Sequence, residues 1–251
     1  MTRETAFETL FGDDAAFPLV MTCEHASRRL PEWSAKPADE PILCDHWGWD
    51  PGAADLTRAL LRLLGGAAVL SRFSRLVCDP NRNPSDQTFV VETIDGHSLS
   101  WNRRIDAHER RRREEIYHEP YHQEIDRILR GRIASQQPVR LLSIHSFTPV
   151  YRGEKRDVEV GVLFDDHESS AHELIAEFKR VGLRTEANQP YSGYAGLIHA
   201  ARRHGRRHRV VYLELEIRQD LIATPEQAAE IAEALSPGVK KYALAANSAN
   251  L

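Results

Sequence analysis

A chain of 251 residues, 41% apolar and 28% charged, has the composition of an ordinary globular protein with room for one large core. Its net charge of −4 offers no general attraction for nucleic acid or an anionic membrane, no apolar run approaches the ~18 residues that span a bilayer, and its first residues lack the order of a secretion signal. Three cysteines, Cys23, Cys44 and Cys78, form no CxxC pair and read as reduced thiols of a cytoplasmic protein.

In chain order, residues 1–16 are mixed and polar, and a surface arm or short helix is expected there. Residues 17–23 form an apolar strand running into Glu24-His25, followed by a loop punctuated by Pro31, Pro37 and Pro41, too long for a simple connection. Asp50 is a good N-cap and Pro51 a good first residue for a helix whose apolar face is Leu56, Leu60, Leu61, Leu63 and Leu64, with Gly65-Gly66 ending it. Residues 67–70 read as a strand and 84–100 as an extended loop. Apolar residues at helical spacing (Ile105, Ile116, Tyr117, Tyr121, Ile125, Ile128, Leu129) predict a helix over 104–134, broken or kinked at Pro120. Val139, Leu141, Leu142 and Ile144 mark a buried strand that Pro149 stops, which puts His145 where strand gives way to loop.

Residues 151–156 read as a polar turn, 158–164 as a strand, 170–181 as an amphipathic helix, 184–196 as a loop and 197–204 as a helix. Residues 210–213 form a strand running into Glu214-Leu215-Glu216, and Thr224-Pro225-Glu226-Gln227 caps a last helix over 225–246. Strands alternate with helices and nothing repeats. The expected fold is one α/β domain over 1–251, a three-layer sandwich around a mostly parallel sheet.

Three apolar strands thus deliver His25, His145 and Glu216 to one sheet edge, where open α/β sheets bind ligands. A catalytic zinc wants three nitrogen or oxygen ligands and an open position. With 12 histidines in the chain some are structural, but two at the ends of separate buried strands, beside a strand carrying carboxylates, favour a metal. Asp50 is a further ligand candidate, although capping alone explains it. Glu214 and Glu216 share a strand face, and two carboxylates on a buried face are costly unless they do chemistry or meet a cation such as Arg218. Spacing does not separate them as proton carriers. Arg72, Arg75, Arg82 and Arg218 lie near strand ends, and a guanidinium fork suits a substrate carboxylate. The Arg110–Arg113 run reads as a solvated helix face, and the Arg/His-rich segment from Arg202 to His208 ranks low as a nucleic-acid patch without aromatic interleaving.

Six motifs occur in an order that resembles the N-formylglutamate amidohydrolase family. They are Thr22-Cys23-Glu24-His25-Ala26-Ser27, Trp49-Asp50-Pro51-Gly52-Ala53, the segment from Ser74 to Arg82, Tyr117-His118-Glu119-Pro120-Tyr121-His122, the segment from Ser143 to Pro149, and the segment from Glu216 to Ile222. The resemblance implies a fold like that of zinc-dependent exopeptidases and hydrolysis of N-formyl-L-glutamate to formate and glutamate, as in histidine degradation. By position, His25, Asp50 and His145 would hold Zn2+ or another divalent metal, with Glu24 and His46 as alternatives to Asp50. Glu216, in preference to Glu214, would move the proton. Arg75, Asn81, Arg82 and Arg218 would meet a small acidic N-acyl amino acid. Segment 196–209 departs from the family pattern, with His199 and His204 competing for one position, and it would border substrate. The rival readings are a metal-dependent peptidase or amidase and a non-catalytic binding protein of the same fold. The oligomeric state stays open.

Overall fold

The computed structural model describes residues 4–32 and 35–245. A seven-stranded sheet forms the middle layer, from strands β1 (Phe7–Phe11), β2 (Leu19–Cys23), β3 (Ala67–Ser71), β4 (Arg140–Phe147), β5 (Val160–Leu163), β6 (Thr185–Ala187) and β7 (Tyr212–Arg218). In these labels the spatial order is β1-β3-β2-β4-β7-β5-β6. The central strands β3, β2, β4 and β7 run parallel, β1 is antiparallel to β3, and β5 with its parallel neighbour β6 runs against β7.

The helices are α1 (Glu40–Cys44), α2 (Ala53–Leu64), α3 (Ala107–Arg113), α4 (Glu119–Ala134), α5 (Glu168–Arg180), α6 (His199–His208) and α7 (Pro225–Leu244). Helices α2, α5 and α7 bury Leu56, Leu60, Phe178, Leu235 and Val239 against Met21, Leu142, Ile144, Leu213 and Leu215 on one sheet face. Tyr121, Ile125 and Leu129 of α4 and Ala201 of α6 cover Val20, Leu141 and Tyr212 on the other. The mixed α/β sandwich is therefore as the pattern predicts.

Residues 7–11 are an edge strand rather than an arm or helix: each residue pairs with β3, from Phe7 opposite Ser71 to Phe11 opposite Ala67. Segment 184–196, expected as loop, contains β6. Helix α6 continues through the Arg/His run to His208, and part of the expected 225–246 helix lies outside the described residues. Pro120 does not break the helical region. A π-helical turn over Glu114–His118 joins α3 to α4, and Pro120 falls in the first turn of α4, where a missing N–H costs least. Asp50 is not the N-cap of α2. That position is Gly52, whose positive φ and close approach to the Ile222 carbonyl leave no room for a Cβ, and Thr224 with Gln227 forms the capping box on α7.

Candidate active site

One face of each central strand changes character along its length. On the α4/α6 side, Val20, Leu141 and Tyr212 are apolar; one step further along each strand stand Thr22, Ser143 and Glu214, aligned in register, and then His145 opposite Glu216. All are buried. Polar groups gather there because the chain turns in from both sides: Glu24 and His25 directly follow β2, and Asp50 is pinned by its backbone N–H donating to His25 O at 2.9 Å. The Ser146 N–H donates to Asp50 Oδ2 at 3.2 Å. Asp50, released from capping, points its carboxylate at the two imidazoles.

Three atoms converge. His145 Nδ1 lies 2.9 Å from Asp50 Oδ2 and 3.1 Å from His25 Nδ1, and His25 Nδ1 lies 3.3 Å from Asp50 Oδ2. The far nitrogen of each imidazole is braced by a carboxylate: His25 Nε2 is 2.7 Å from Asp79 Oδ1 and His145 Nε2 is 2.9 Å from Glu24 Oε2. Glu24 also accepts from Ser143 Oγ at 2.6 Å and Tyr121 OH at 2.9 Å. Burial opposes its ionisation, yet His145 and Ser143 prevail and hold its pKa at about 2. Asp50 is likewise held below the carboxylate range against burial by both histidines. Burial opposes a charge on His145, but Glu214, Asp50 and Glu24 drive its pKa well above the ordinary value. The donor set asks for positive charge.

This set fits a divalent metal. Both imidazoles are braced at Nε2 by a carboxylate and turn Nδ1 toward Asp50 Oδ2, the bracing seen around zinc-bound histidines, and each would offer its Nδ1 lone pair to a bound metal. Ligand atoms about 2.0–2.2 Å from a tetrahedral zinc stand roughly 3.3 Å apart, close to the spacings here. His25, Asp50 and His145 form one of three His/Asp/Glu groups compact enough to hold an ion among the described residues; His145, Glu214 and Glu216 form another.

The group lines a cavity of about 500 Å³ together with Trp47, Leu76, Ile94, Phe147, Tyr151 and Tyr191 and with Arg75, Asn81 and Arg82. Glu214 and Glu216 both line it. Burial lifts the Glu214 pKa to about 7, and burial with Asp50 and Glu214 nearby lifts that of Glu216 well above its ordinary value. Glu214 Oε2 accepts from Asn81 Nδ2 at 3.4 Å and lies 3.6 Å from His145 Nε2, whereas Glu216 Oε2 is buried with no hydrogen-bond partner among the described residues.

The profile of the N-formylglutamate amidohydrolase family matches residues 17–223. The chain belongs to that family. No curated protein matches it. Among solved structures, gene product Atu2144 from Agrobacterium tumefaciens is 31% identical, with a TM-score of 0.86 over 96% of this chain and 95% of that one. The N-formylglutamate amidohydrolase from Ralstonia eutropha JMP134 shares the fold at a TM-score of 0.75, with 19% identity over 96% and 97%. The six motifs of this N-formylglutamate amidohydrolase family member fall within or at the edge of the matched span, and five of them supply residues to the cavity or its braces.

Of the alternatives to Asp50, Glu24 stands behind His145 as its brace, and His46 lines the cavity with its Nδ1 3.0 Å from Asp45. Arg75 reaches the site but its guanidinium donates to Asp79 Oδ2 at 2.6 and 3.1 Å. Arg82 lines the cavity, and its Nε is buried with no hydrogen-bond partner among the described residues. Two arginines are elsewhere. Arg218 donates to both oxygens of Asp220 and to the Arg156, Asp157 and Val158 carbonyls, and Arg72 donates to Thr5 Oγ1. The α6 arginines face carboxylates: Arg202 and Arg206 meet Asp165, Arg203 meets Glu119 and Arg207 meets Asp126. His204 is buried between His122 and Asp126 instead of bordering the cavity. Sequence reasoning assigned no role to Asp79, the brace of His25, although it lies inside a quoted motif; Tyr121, Ser143 and Tyr191 also went unassigned. No helix among the described residues is long and apolar enough to cross a membrane.

Proposed function

We propose that the chain hydrolyses the amide bond of N-formyl-L-glutamate, giving formate and L-glutamate, with zinc held by His25, Asp50 and His145. The observation that carries this reading is the convergence of the Nδ1 atoms of two carboxylate-braced imidazoles and Asp50 Oδ2 in the lining of the cavity. When bound, zinc supplies Lewis acidity, polarising the formyl carbonyl and lowering the pKa of water to about 7.

The protein's own groups do the rest. Glu216 takes the proton from the attacking water and returns it to the departing amine nitrogen; its unpartnered oxygen and its pKa, raised by burial and the neighbouring carboxylates, suit a group that takes up and gives back a proton. Glu214, tied to Asn81, is the second carboxylate for that role. Arg82, whose buried Nε has no hydrogen-bond partner among the described residues, grips a substrate carboxylate, and Arg75, shared with Asp79, completes the cationic side together with the Asn81 amide. The aromatic wall keeps bulk water from the reacting carbonyl. The setting implied by the resemblance, histidine degradation in the cytoplasm, goes with this substrate.

Formate release from N-formyl-L-glutamate by zinc-loaded protein, beside a chelated control, tests the reading. Metal-dependent turnover is expected. Turnover undiminished by chelation would remove the metal from the reaction, and cleavage of peptides with no action on formyl amino acids would favour a peptidase.

A further inference from the structure

A line of buried imidazoles leaves the active site and crosses between α4 and α6. The loop at 79–82 supplies Asp79, Asn81 and Arg82 to the site, and its carbonyls are held from behind. His122 Nε2 lies 3.0 Å from Pro80 O, and His118 Nε2 lies 3.2 Å from Arg82 O. Further back, His122 Nδ1 is 2.8 Å from His204 Nε2, and His204 Nδ1 is 2.8 Å from Asp126 Oδ1. His118, His122 and His204 are fully buried.

Protons can be counted along this line. A carbonyl only accepts, so the Pro80 contact needs a proton on His122 Nε2. The His122–His204 contact needs one more, and the His204–Asp126 contact a third while Asp126 is ionised. Asp126 stays ionised because its Oδ1 also meets His208 Nε2 at 2.7 Å and its Oδ2 meets Arg207 at 2.9 Å. Two neutral imidazoles carry only two ring protons. A third proton makes the His122–His204 pair a cation, which Asp126 has to hold against burial, against His118, whose Nε2 also lies 3.1 Å from His122 Nε2, and against Arg203 and His199, all of which push the His122 pKa down. Asp126, His204 and His208 also group like metal ligands, but with Arg207 on the carboxylate they form an anchor for this line.

We propose that His122, oriented and protonated through His204 and Asp126, is a positioning residue: it pins the Pro80 carbonyl and so sets Asp79 against His25 and directs Asn81 and Arg82 into the cavity. The consequence for substrate rests on the function proposed above; the proton arrangement does not.

Nitrogen-15 NMR of the histidine rings in the wild-type protein reads that arrangement. Three ring protons over His122 and His204, one of them on His122 Nε2, are expected at pH 7; only two, or an unprotonated His122 Nε2, would overturn the proposal. For function, His122→Phe removes the donor, whereas His122→Gln returns an amide N–H near the Nε2 position. His122→Phe should raise KM for N-formyl-L-glutamate about tenfold, with a smaller change in kcat, and weaken zinc binding about tenfold in a chelator competition. His122→Gln should recover most of both. Equal damage in the two variants, or unchanged constants in folded His122→Phe, would overturn it. If His122→Phe does not fold, Asp126→Asn carries the test: KM should rise several-fold with the circular dichroism spectrum unchanged, and an unaltered KM counts against the proposal. A wild-type protein inactive on N-formyl-L-glutamate would refute the reaction, leaving the NMR and zinc competition to decide the positioning.

Discussion

Glu216 stands opposite His145 in neighbouring parallel strands, and a carboxylate oxygen of the one lies within 4.8 Å of a ring nitrogen of the other. Glu216→Gln keeps the shape and removes the proton acceptor. It should lower kcat by about 10²–10⁴-fold, the usual worth of a positioned acid–base group, while zinc content stays at the wild-type level. Glu214→Gln should cost less; if it is the dead variant and Glu216→Gln turns over, the two carboxylates exchange roles. Glu24 makes a different prediction. Its carboxyl, ordinarily near 4.5, is held at about 2 in the folded chain. A depressed folded pKa contributes stability that is fully present above about 4.5 and lost as the pH falls toward 2. The zinc-free protein should therefore lose stability steeply across that window, and Glu24→Gln should flatten the slope of unfolding free energy against pH. An identical slope in the variant would show that Glu24 does not carry the effect. The placing of His25 and His145 at strand ends was legible in the apolar runs that precede them, whereas the pattern around Asp50 pointed to a helix cap, a position that Gly52 takes. Asp79 was not legible, since its bond to His25 joins segments 54 residues apart and no periodicity reports it.

At the scale of elements, apolar runs announced β2, β4 and β7, whose faces are covered on both sides, and missed β1 and β6 at the two edges of the sheet, where pairing with one neighbour does more than burial. The charged run at 110–113 shows the opposite failure. Read as a solvated face, it contains Arg113, which is 2% exposed and donates to Val77 O, Asn102 Oδ1 and Trp101 O. Arg113→Ala removes the guanidinium and leaves those three acceptors unmet, which should cost about 3–5 kcal/mol, or a Tm lower by on the order of 10 °C. Arg111→Ala, at an exposed position of the same run, should stay near the wild-type Tm. Equal Tm values for the two variants would show that the buried guanidinium does not hold the segment.

Across the whole molecule the candidate ligands come from three separated segments: the end of β2, the turn into α2, and β4. A metal bound to all three closes the chain between residues 25 and 145 and exists only when the sheet is assembled, so its binding free energy adds to folding. At free zinc about 100 times the dissociation constant the gain is about 2.7 kcal/mol, which for a chain of this size corresponds to a Tm rise of about 5–10 °C. Chelation should reverse it, and calorimetry with and without zinc measures both. In His145→Ala the zinc-dependent rise should disappear together with turnover. The starting Tm of that variant is a poor guide by itself, because Glu24 and Asp50 lose the imidazole between them and are left as buried like charges. The shift produced by zinc is free of that cost, since the metal-free variant is its own reference. A variant that keeps both the full shift and full activity would place the metal elsewhere, and the group at Asp126, His204 and His208 would then have to be tested by the same titration.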